Sequence, residues 1–457
     1  MRFPDMEVVA RVGLPLALAC AVVLSMYTHS MVFREWTMPT YGNTFIHVAS
    51  IRHAVTYGSY PMEDYSYGGG IPNLYVPFYR IFVADTVLLT GLSIDFVSRA
   101  AVMLFSVLFP LAFFALGRRM FGDWAGVFAA FFCSLPGELL IYTVRPLPQA
   151  LGMVLLPVAF LALYSERRRA AMFLAFAVAM VHQEAAVFYA GVTLGYFLLV
   201  MAFFAVSFIL SDPRSGRTSG VVSGFFEDKR GVRLAFVCFL VATLTYLLWH
   251  YWVMHTFDIF ELAQFKNHEG GFITVESFLT KTGLVVASLS ILGLLFVLQG
   301  MVREFLKSVT EKGDVRSFVG QAVVMLVAAT VLFFFFNGYS FHYSSDVAPL
   351  KDFHKALSPL IPVAFQTAGL SVIFGILTAL FVSNSAERTR ISEIGAYPTL
   401  FAFAVFFTGL FATQNHLVGI RVFMDRFLVY LHEPLVLLAA LGAMSLLAFA
   451  GYVSRKS

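Results

Sequence analysis

The chain has 457 residues, 59% of them hydrophobic and only 13% charged, about half the charged share of a soluble domain. Apolar runs near 20 residues long recur from end to end, each enough to cross about 30 Å of hydrocarbon, which excludes a soluble enzyme and predicts an all-α, polytopic membrane protein. Cys20, Cys133 and Cys238 all fall inside apolar runs and match no disulfide framework or metal-ligand spacing, while the net charge of +4 informs only through its sidedness.

In chain order, the first span is expected at about 8–28. It is followed by no small-residue cleavage site, so it reads as a retained helix rather than a signal peptide. Residues 29–95 form a large first external loop. Within it, Asn43 to Tyr57 reads as an amphipathic helix, with Phe45, Ile46, Ala49 and Val55 on an apolar side and His47, Ser50, Arg52 and His53 on a polar one. Such a helix lies along the membrane surface or packs on helix ends. Gly58 stops it, and Gly58-Ser-Tyr-Pro61 turns the chain. Glu63 and Asp64 then stand in a run of tyrosines ahead of Gly68-Gly69-Gly70 and Pro72. A carboxylate pair among aromatics and glycines at a membrane surface is a place to look for chemistry. The semi-apolar stretch Leu74 to Leu92 carries Arg80 and Asp85, which predicts a surface or re-entrant helix rather than a span.

Further spans are expected at about 96–117, 123–143, 148–165, 169–185, 187–211, 233–254, 282–301, 318–337, 358–383, 394–412 and 433–453. That makes about twelve spans in a single transmembrane domain, with no separate soluble domain. Most of the 31 basic residues, among them Arg118, Arg119, Arg167, Arg168 and Arg169, fall on the side of the termini. By the positive-inside rule both termini are cytoplasmic, and the 29–95 loop lies outside the cell membrane. The connectors hold neither G-x-x-x-x-G-K-[ST] nor G-x-G-x-x-G between strand and helix. Energy must then come from a gradient or from an already activated substrate, and nothing points to nucleic acid.

Polar residues gather near the external face. Glu138 leads into Tyr142, Arg145, Pro146 and Pro148, where Arg145 is either a snorkelling side chain or a clamp for a phosphate near the headgroup plane. His182-Gln183-Glu184 interrupts a run of about 41 residues, Ala170 to Leu210, otherwise free of charge, and must form the tip of a very tight hairpin. An ionisable residue at that depth has a partner or a task. The loop His255 to Lys281 has the composition of a solvated connector. The loop Asn337 to Leu357 holds His342 and His354 at a spacing that fits no closed metal site. Last come Asn415 to Pro434, with Arg421, Asp425 and Arg426; two arginines suit a lipid phosphate.

Four stretches carry a family resemblance: Asn43-Thr-Phe-Ile-His47 through Gly58-Ser-Tyr-Pro61; the Tyr75-Val-Pro77 turn leading into Gly-Leu-Ser; Ala115 to Gly122 with the Leu135-Pro-Gly-Glu to Arg145-Pro-Leu-Pro-Gln149 hairpin; and Arg426-Phe-Leu-Val-Tyr-Leu before the last span. In their order and placement the chain resembles the GT-C superfamily of integral-membrane glycosyltransferases, distantly like oligosaccharyltransferase and protein mannosyltransferase catalytic subunits. The resemblance implies an external site that moves a sugar from a polyprenyl-phosphate carrier to a lipid, glycan or protein acceptor. It implies a first-loop carboxylate as general base or ligand of a divalent metal (Mg or Mn), and basic residues on the carrier phosphate. The family's aspartate would stand at Asn43, so Asp64 or Glu63 is expected as the base. Arg145 and Arg426, with Arg421, are expected on the phosphate, and Asn43, His47, Glu138, His182 and Glu184 as pocket lining. The alternatives are a transporter or flippase of a lipid-linked glycan, which would show mid-membrane polar groups on paired broken helices, and a catalytically silent relative, which Asn43 suggests.

Overall fold

A computed structural model describes residues 6–35, 42–64, 71–210, 231–257, 275–309, 396–415 and 424–456. Their regular secondary structure is helical apart from one antiparallel pair of two-residue strands. In order they form α1 (Met6–Glu35), α2 (Gly42–Tyr57), β1 (Glu63–Asp64), β2 (Ile71–Pro72), α3 (Phe78–Thr90), α4 (Ile94–Phe121), α5 (Asp123–Phe132), α6 (Gly137–Thr143), α7 (Pro148–Tyr164) and α8 (Arg168–Val181). There follow α9 (Gln183–Leu210), α10 (Val232–Thr256), α11 (Val275–Thr282), α12 (Leu284–Val309), α13 (Ala396–Thr413) and α14 (Met424–Lys456). β1 and β2 pair Glu63 with Pro72 and Asp64 with Ile71.

Among the described residues five helices, α1, α4, α9, α10 and α14, are long and apolar enough to cross a membrane, and a bent α5–α6 pair makes six. Shorter apolar helices occur at Pro148–Tyr164, Leu284–Gln299 and Tyr397–Thr413. The expected spans at 318–337 and 358–383 lie outside the described residues. The straight span expected at 123–143 is instead broken, with α5 and α6 meeting at 74°. Pro136 sits in the break with an extended backbone; it supplies no N–H and pushes the residue before it out of helical conformation. The last helix errs the other way. It runs through Pro434 and begins at Met424, so Arg426 stands in its first turn rather than in a loop. In a bundle, neighbouring helices re-satisfy the backbone group that a proline frees.

The centre of the bundle is α14. Its membrane-length window is 94% buried, against 17% for α1 at the periphery. It packs on α12, α13 and α5, while α4 packs on α1, α5 and α7 and α9 on α10 and α13. The α12–α14 crossing is close because glycines face backbone: a Cβ on Gly293 would fall on the Leu438 carbonyl oxygen, and one on Gly442 on that of Leu289. Leu16, Val23, Leu89 and Leu248 are exposed, as on a surface bathed by lipid.

α2 packs on α3, with the opposite face from the one its pattern predicts. His47 and Ser50, on the expected polar side, are buried with Thr44, Ile51 and Ala54, whereas Phe45 is 56% exposed. A polar partner on α3, Arg80, waits on the inner side. Gly91 ends α3 in left-handed conformation, and Ser93 caps α4 by accepting from the Phe96 N–H, which gives the Gly-Leu-Ser stretch its structural meaning.

Candidate active site

Four segments distant in sequence meet at one end of the bundle. The first is α2 with the approach to α3. There Arg80, fully buried, donates from Nε to His47 Nδ1 (2.8 Å) and from Nη1 to Asn73 Oδ1 (2.8 Å) and the Tyr60 hydroxyl (3.0 Å). Its guanidinium lies 5.0 Å from the centre of the Tyr75 ring. Burial, then the Arg80 charge, then His182 hold the His47 imidazole well below the usual histidine range, so it is neutral.

The second segment is the turn from α6 into α7. Arg145 lies over the Tyr142 ring at 5.5 Å, and Pro148 opens α7, where its missing N–H costs nothing. Gln149, one residue on, is buried, and its side chain lies near the Tyr430 hydroxyl. The third is the α8–α9 tip. His182 caps α8 in extended conformation and Gln183 opens α9, so the tripeptide does form a very tight hairpin. The fourth is the first turns of α14, which supply Arg426 and Tyr430.

A charged chain ties the third segment to the fourth. Arg426 Nη1 lies 3.4 Å from Glu184 Oε1, Glu184 Oε2 lies 2.9 Å from His182 Nε2, and His182 Nδ1 is 2.8 Å from the Tyr430 hydroxyl. Glu184 is 3% exposed. A carboxylate buried to that degree is tolerable only when matched, and here a guanidinium and an imidazole match it.

These segments border a partly open cavity lined by His47, Tyr75, Tyr142, Arg145, Leu147, Pro148, Gln149, His182, Glu184 and Arg426, with about 500 Å³ of empty space when the solvent at its mouth is included. Five expected site residues are thus brought together: His47, Arg145, His182, Glu184 and Arg426. Others stand elsewhere. Glu138 does not line the cavity; it pairs with Lys281 of α11 at 3.1 Å. Glu63 belongs to β1 and does not line it either. Asp64 ends the same strand, Asn43 is in the first turn of α2, and Arg421 lies outside the described residues. Gln149 and Tyr430 were not singled out as site residues by sequence reasoning. The available signal was position: Tyr430 is four residues from Arg426 on one helix face, and Gln149 stands one residue inside an apolar helix.

The expected divalent metal does not fit this cavity. Among the described residues no three His, Cys, Asp or Glu side chains come together to hold one, and Glu184 is already held by His182 and Arg426. No step is derived through a metal. What the lining offers is donors: two guanidiniums, a neutral imidazole and a side-chain amide, arranged around one engaged carboxylate.

No family model and no curated protein matches the chain. Its fold is similar to the archaeal oligosaccharyltransferase AglB of Archaeoglobus fulgidus, solved with an inhibitory peptide and a dolichol-phosphate, at 13% identity and a TM-score of 0.51. That likeness covers 98% of this chain and 52% of the other, so the chain spans about half the length of the protein it matches. Fainter likenesses are to the oligosaccharyltransferase of the same organism tethered to an acceptor peptide (13% identity, TM-score 0.45, 95% of this chain and 49% of that one) and to ArnT of Cupriavidus metallidurans bound to undecaprenyl phosphate (15%, 0.42, 94% and 77%). The comparison of folds rests on the first. What these comparisons show is a likeness of fold to that oligosaccharyltransferase, over nearly the whole of this chain.

Proposed function

We propose that the chain is a membrane glycosyltransferase that moves a sugar from a polyprenyl-phosphate carrier to an acceptor at the external face. The observation that carries the reading is the convergence of Arg145 and Arg426 on one cavity, in a chain whose helices are apolar and whose fold is GT-C-like. In this reading the acceptor's oxygen or nitrogen attacks the anomeric carbon from the face opposite the phosphate. The bond to the phosphate oxygen breaks with its electron pair, and polyprenyl phosphate departs. Guanidiniums aimed at that oxygen meet the charge as it develops, where fixed donors contribute most, and their planar fork suits a phosphate. The acceptor's proton goes to Asp64 or Glu63 on the strand after α2, because the amide of Asn43 cannot take it.

The finer topology belongs to the same reading: about twelve spans in a cell membrane, the basic ends of the first and last helices in the cytoplasm, and the 29–95 loop outside. A second reading, binding of the lipid-linked sugar without transfer, is favoured by Asn43 and by the engagement of Glu184 with Arg426 and His182. Incubating the purified protein with radiolabelled polyprenyl-phosphate sugars separates the two. Transfer predicts released polyprenyl phosphate that is abolished by Asp64→Asn or Glu63→Gln and reduced by Arg145→Ala. Release that survives all three substitutions removes the site assignment, and tight binding with no release selects the silent relative.

A further inference from the structure

Arg80 is the largest of the fully buried side chains, and it lies in the wall behind the cavity rather than in its lining. Its burial calls for an account, since an unmatched buried guanidinium is costly and no described carboxylate pairs with it. Its partners are neutral: His47, Asn73, Tyr60 and the face of Tyr75. Nη2 has no hydrogen-bond partner among the described residues. An apolar side chain would fill that volume at lower cost, so packing does not explain the choice.

Its effect on His47 does. A guanidinium only donates, so the ring nitrogen 2.8 Å from Arg80 Nε, His47 Nδ1, must present its lone pair. The single proton of the neutral ring is then on Nε2. That nitrogen has no partner among the described residues, and His47 lines the cavity. We infer that Arg80 is a positioning residue: it locks His47 as the neutral Nε2–H tautomer and so holds a fixed hydrogen-bond donor toward the cavity, aimed at the oxygens of the phosphate held by Arg145 and Arg426. The inference rests on the functional reading above only for what occupies the cavity.

The other groups facing His47 work in the same direction or are neutral. Tyr75 meets the ring edge-on at 5.1 Å, His182 discourages a second proton, and Arg145 and Arg426 across the cavity are cations. Glu184, the one carboxylate of the lining, is engaged by His182 and Arg426. The donor therefore persists through the physiological pH range instead of titrating near about 6.5, where an ordinary histidine would.

The test uses the full chain in lipid nanodiscs. Labelling with ¹⁵N-histidine, with the His47 signals assigned by their loss in His47→Gln, reads the tautomer directly. Binding of undecaprenyl phosphate and of dolichyl phosphate, against the uncharged polyprenols, reads the consequence. The expected results are a neutral ring protonated on Nε2 and, between pH values chosen to bracket the ordinary histidine range of about 6.5, a wild-type affinity that runs parallel to that of His47→Gln, so that the ligand's own ionisation near about 6 cancels in the ratio. His47→Gln, which puts an amide donor at the Nε2 position, should keep that affinity, and His47→Asn, whose amide sits at the Nδ1 position, should bind about tenfold more weakly. In Arg80→Met the affinity, taken relative to His47→Gln, should tighten as the pH falls and His47 takes a proton, while in Arg80→Lys that ratio should stay constant. A ring protonated on Nδ1, a wild-type affinity that departs from the His47→Gln profile near the ordinary histidine value of about 6.5, or equal affinity in the Gln and Asn variants overturns the inference. Should Arg80→Met fail to fold, the tautomer and the His47 pair decide alone. Failure of the wild type to bind either phosphate removes the phosphate from the cavity, and with it the functional reading, whereas the wrong tautomer removes only the role of Arg80.

Discussion

Replacing Glu184 with glutamine separates two contributions that the cavity combines, and it should move them in opposite directions. The side chain keeps its shape and loses its charge. In the native chain its oxygens lie 2.9 Å from His182 Nε2 and 3.4 Å from Arg426 Nη1. Charge-assisted contacts contribute about 1.5–3 kcal/mol each and neutral ones about 0.5–1.5. The substitution should therefore cost about 2 kcal/mol, most of it on the His182 side, because Arg426 is 39% exposed and its share is screened. Binding changes with the other sign. A phosphate on the far side of Arg426 would sit about 7 Å from the carboxylate, where like unit charges repel by roughly 2.4 kcal/mol at an effective dielectric of 20. Solvent at the open side reduces this to about 1 kcal/mol, or roughly fivefold tighter phosphate binding. Thermal unfolding and titration with undecaprenyl phosphate, both in nanodiscs, measure the two quantities. A Glu184→Gln protein that melts lower and also binds more weakly would refute the argument, since the carboxylate would then be supporting the anion site rather than opposing it.

Three further outcomes are expected. The pKa of His47 in the folded chain lies well below 6.5, so the unfolded chain binds one more proton once the pH falls under that value. Stability is then fully present above it and is lost on acidification by up to about 1.4 kcal/mol per pH unit, and His47→Gln should melt with a flatter acid limb than wild type, a difference whose absence contradicts the burial argument. Gly442→Ala drives a methyl group into the Leu289 carbonyl and should cost about 1–3 kcal/mol or more by prising α12 from α14; Gly58→Ala, in open space with φ +68°, should cost only about 1 kcal/mol for its left-handed backbone, and equal losses in unfolding assays would argue against the close crossing. Lys281→Met leaves Glu138, 4% exposed, without its cation and should cost about 1–3 kcal/mol, most of it recovered when Glu138→Gln is added; additive losses in the double variant would mean that the pair is not coupled.

The sequence made the bundle readable because the bilayer enforces length and apolarity, so α4, α9 and α10 fall close to the expected spans. The charged tripeptide had only one place to go within its apolar run, and His182 and Glu184 are found at the hairpin tip. What stayed hidden depended on partners far along the chain. The buried face of α2 could not be read from its own residues, because an apolar stripe is decisive only when the opposite surface is apolar too; here Arg80, 33 residues beyond His47, turned the polar stripe inward. Glu138 looked like a site residue in its local context, and only the folding of α11 onto α6 brings Lys281 to it. Composition signalled that Arg80 was unusual in a semi-apolar stretch, but not which way it would point.

The balance of donors and acceptors decides what the cavity can hold. Arg145, Arg426 and Gln149 carry N–H groups, and His47 adds another in the tautomer inferred for it. The one described carboxylate of the lining, Glu184, is matched by His182 and Arg426. A ligand whose contact surface is all acceptor, such as a phosphate, suits these groups, whereas an amine or a metal ion would meet two guanidiniums and one carboxylate already paired with His182 and Arg426. The same balance leaves the lining without a group to remove a proton, since Glu184 cannot take one without releasing Arg426 and His182. If the protein transfers sugar as proposed, the work is divided between two parts of the chain: the helix bundle holds the departing anion with fixed donors, and the base proposed above, Asp64 or Glu63, comes from the first loop.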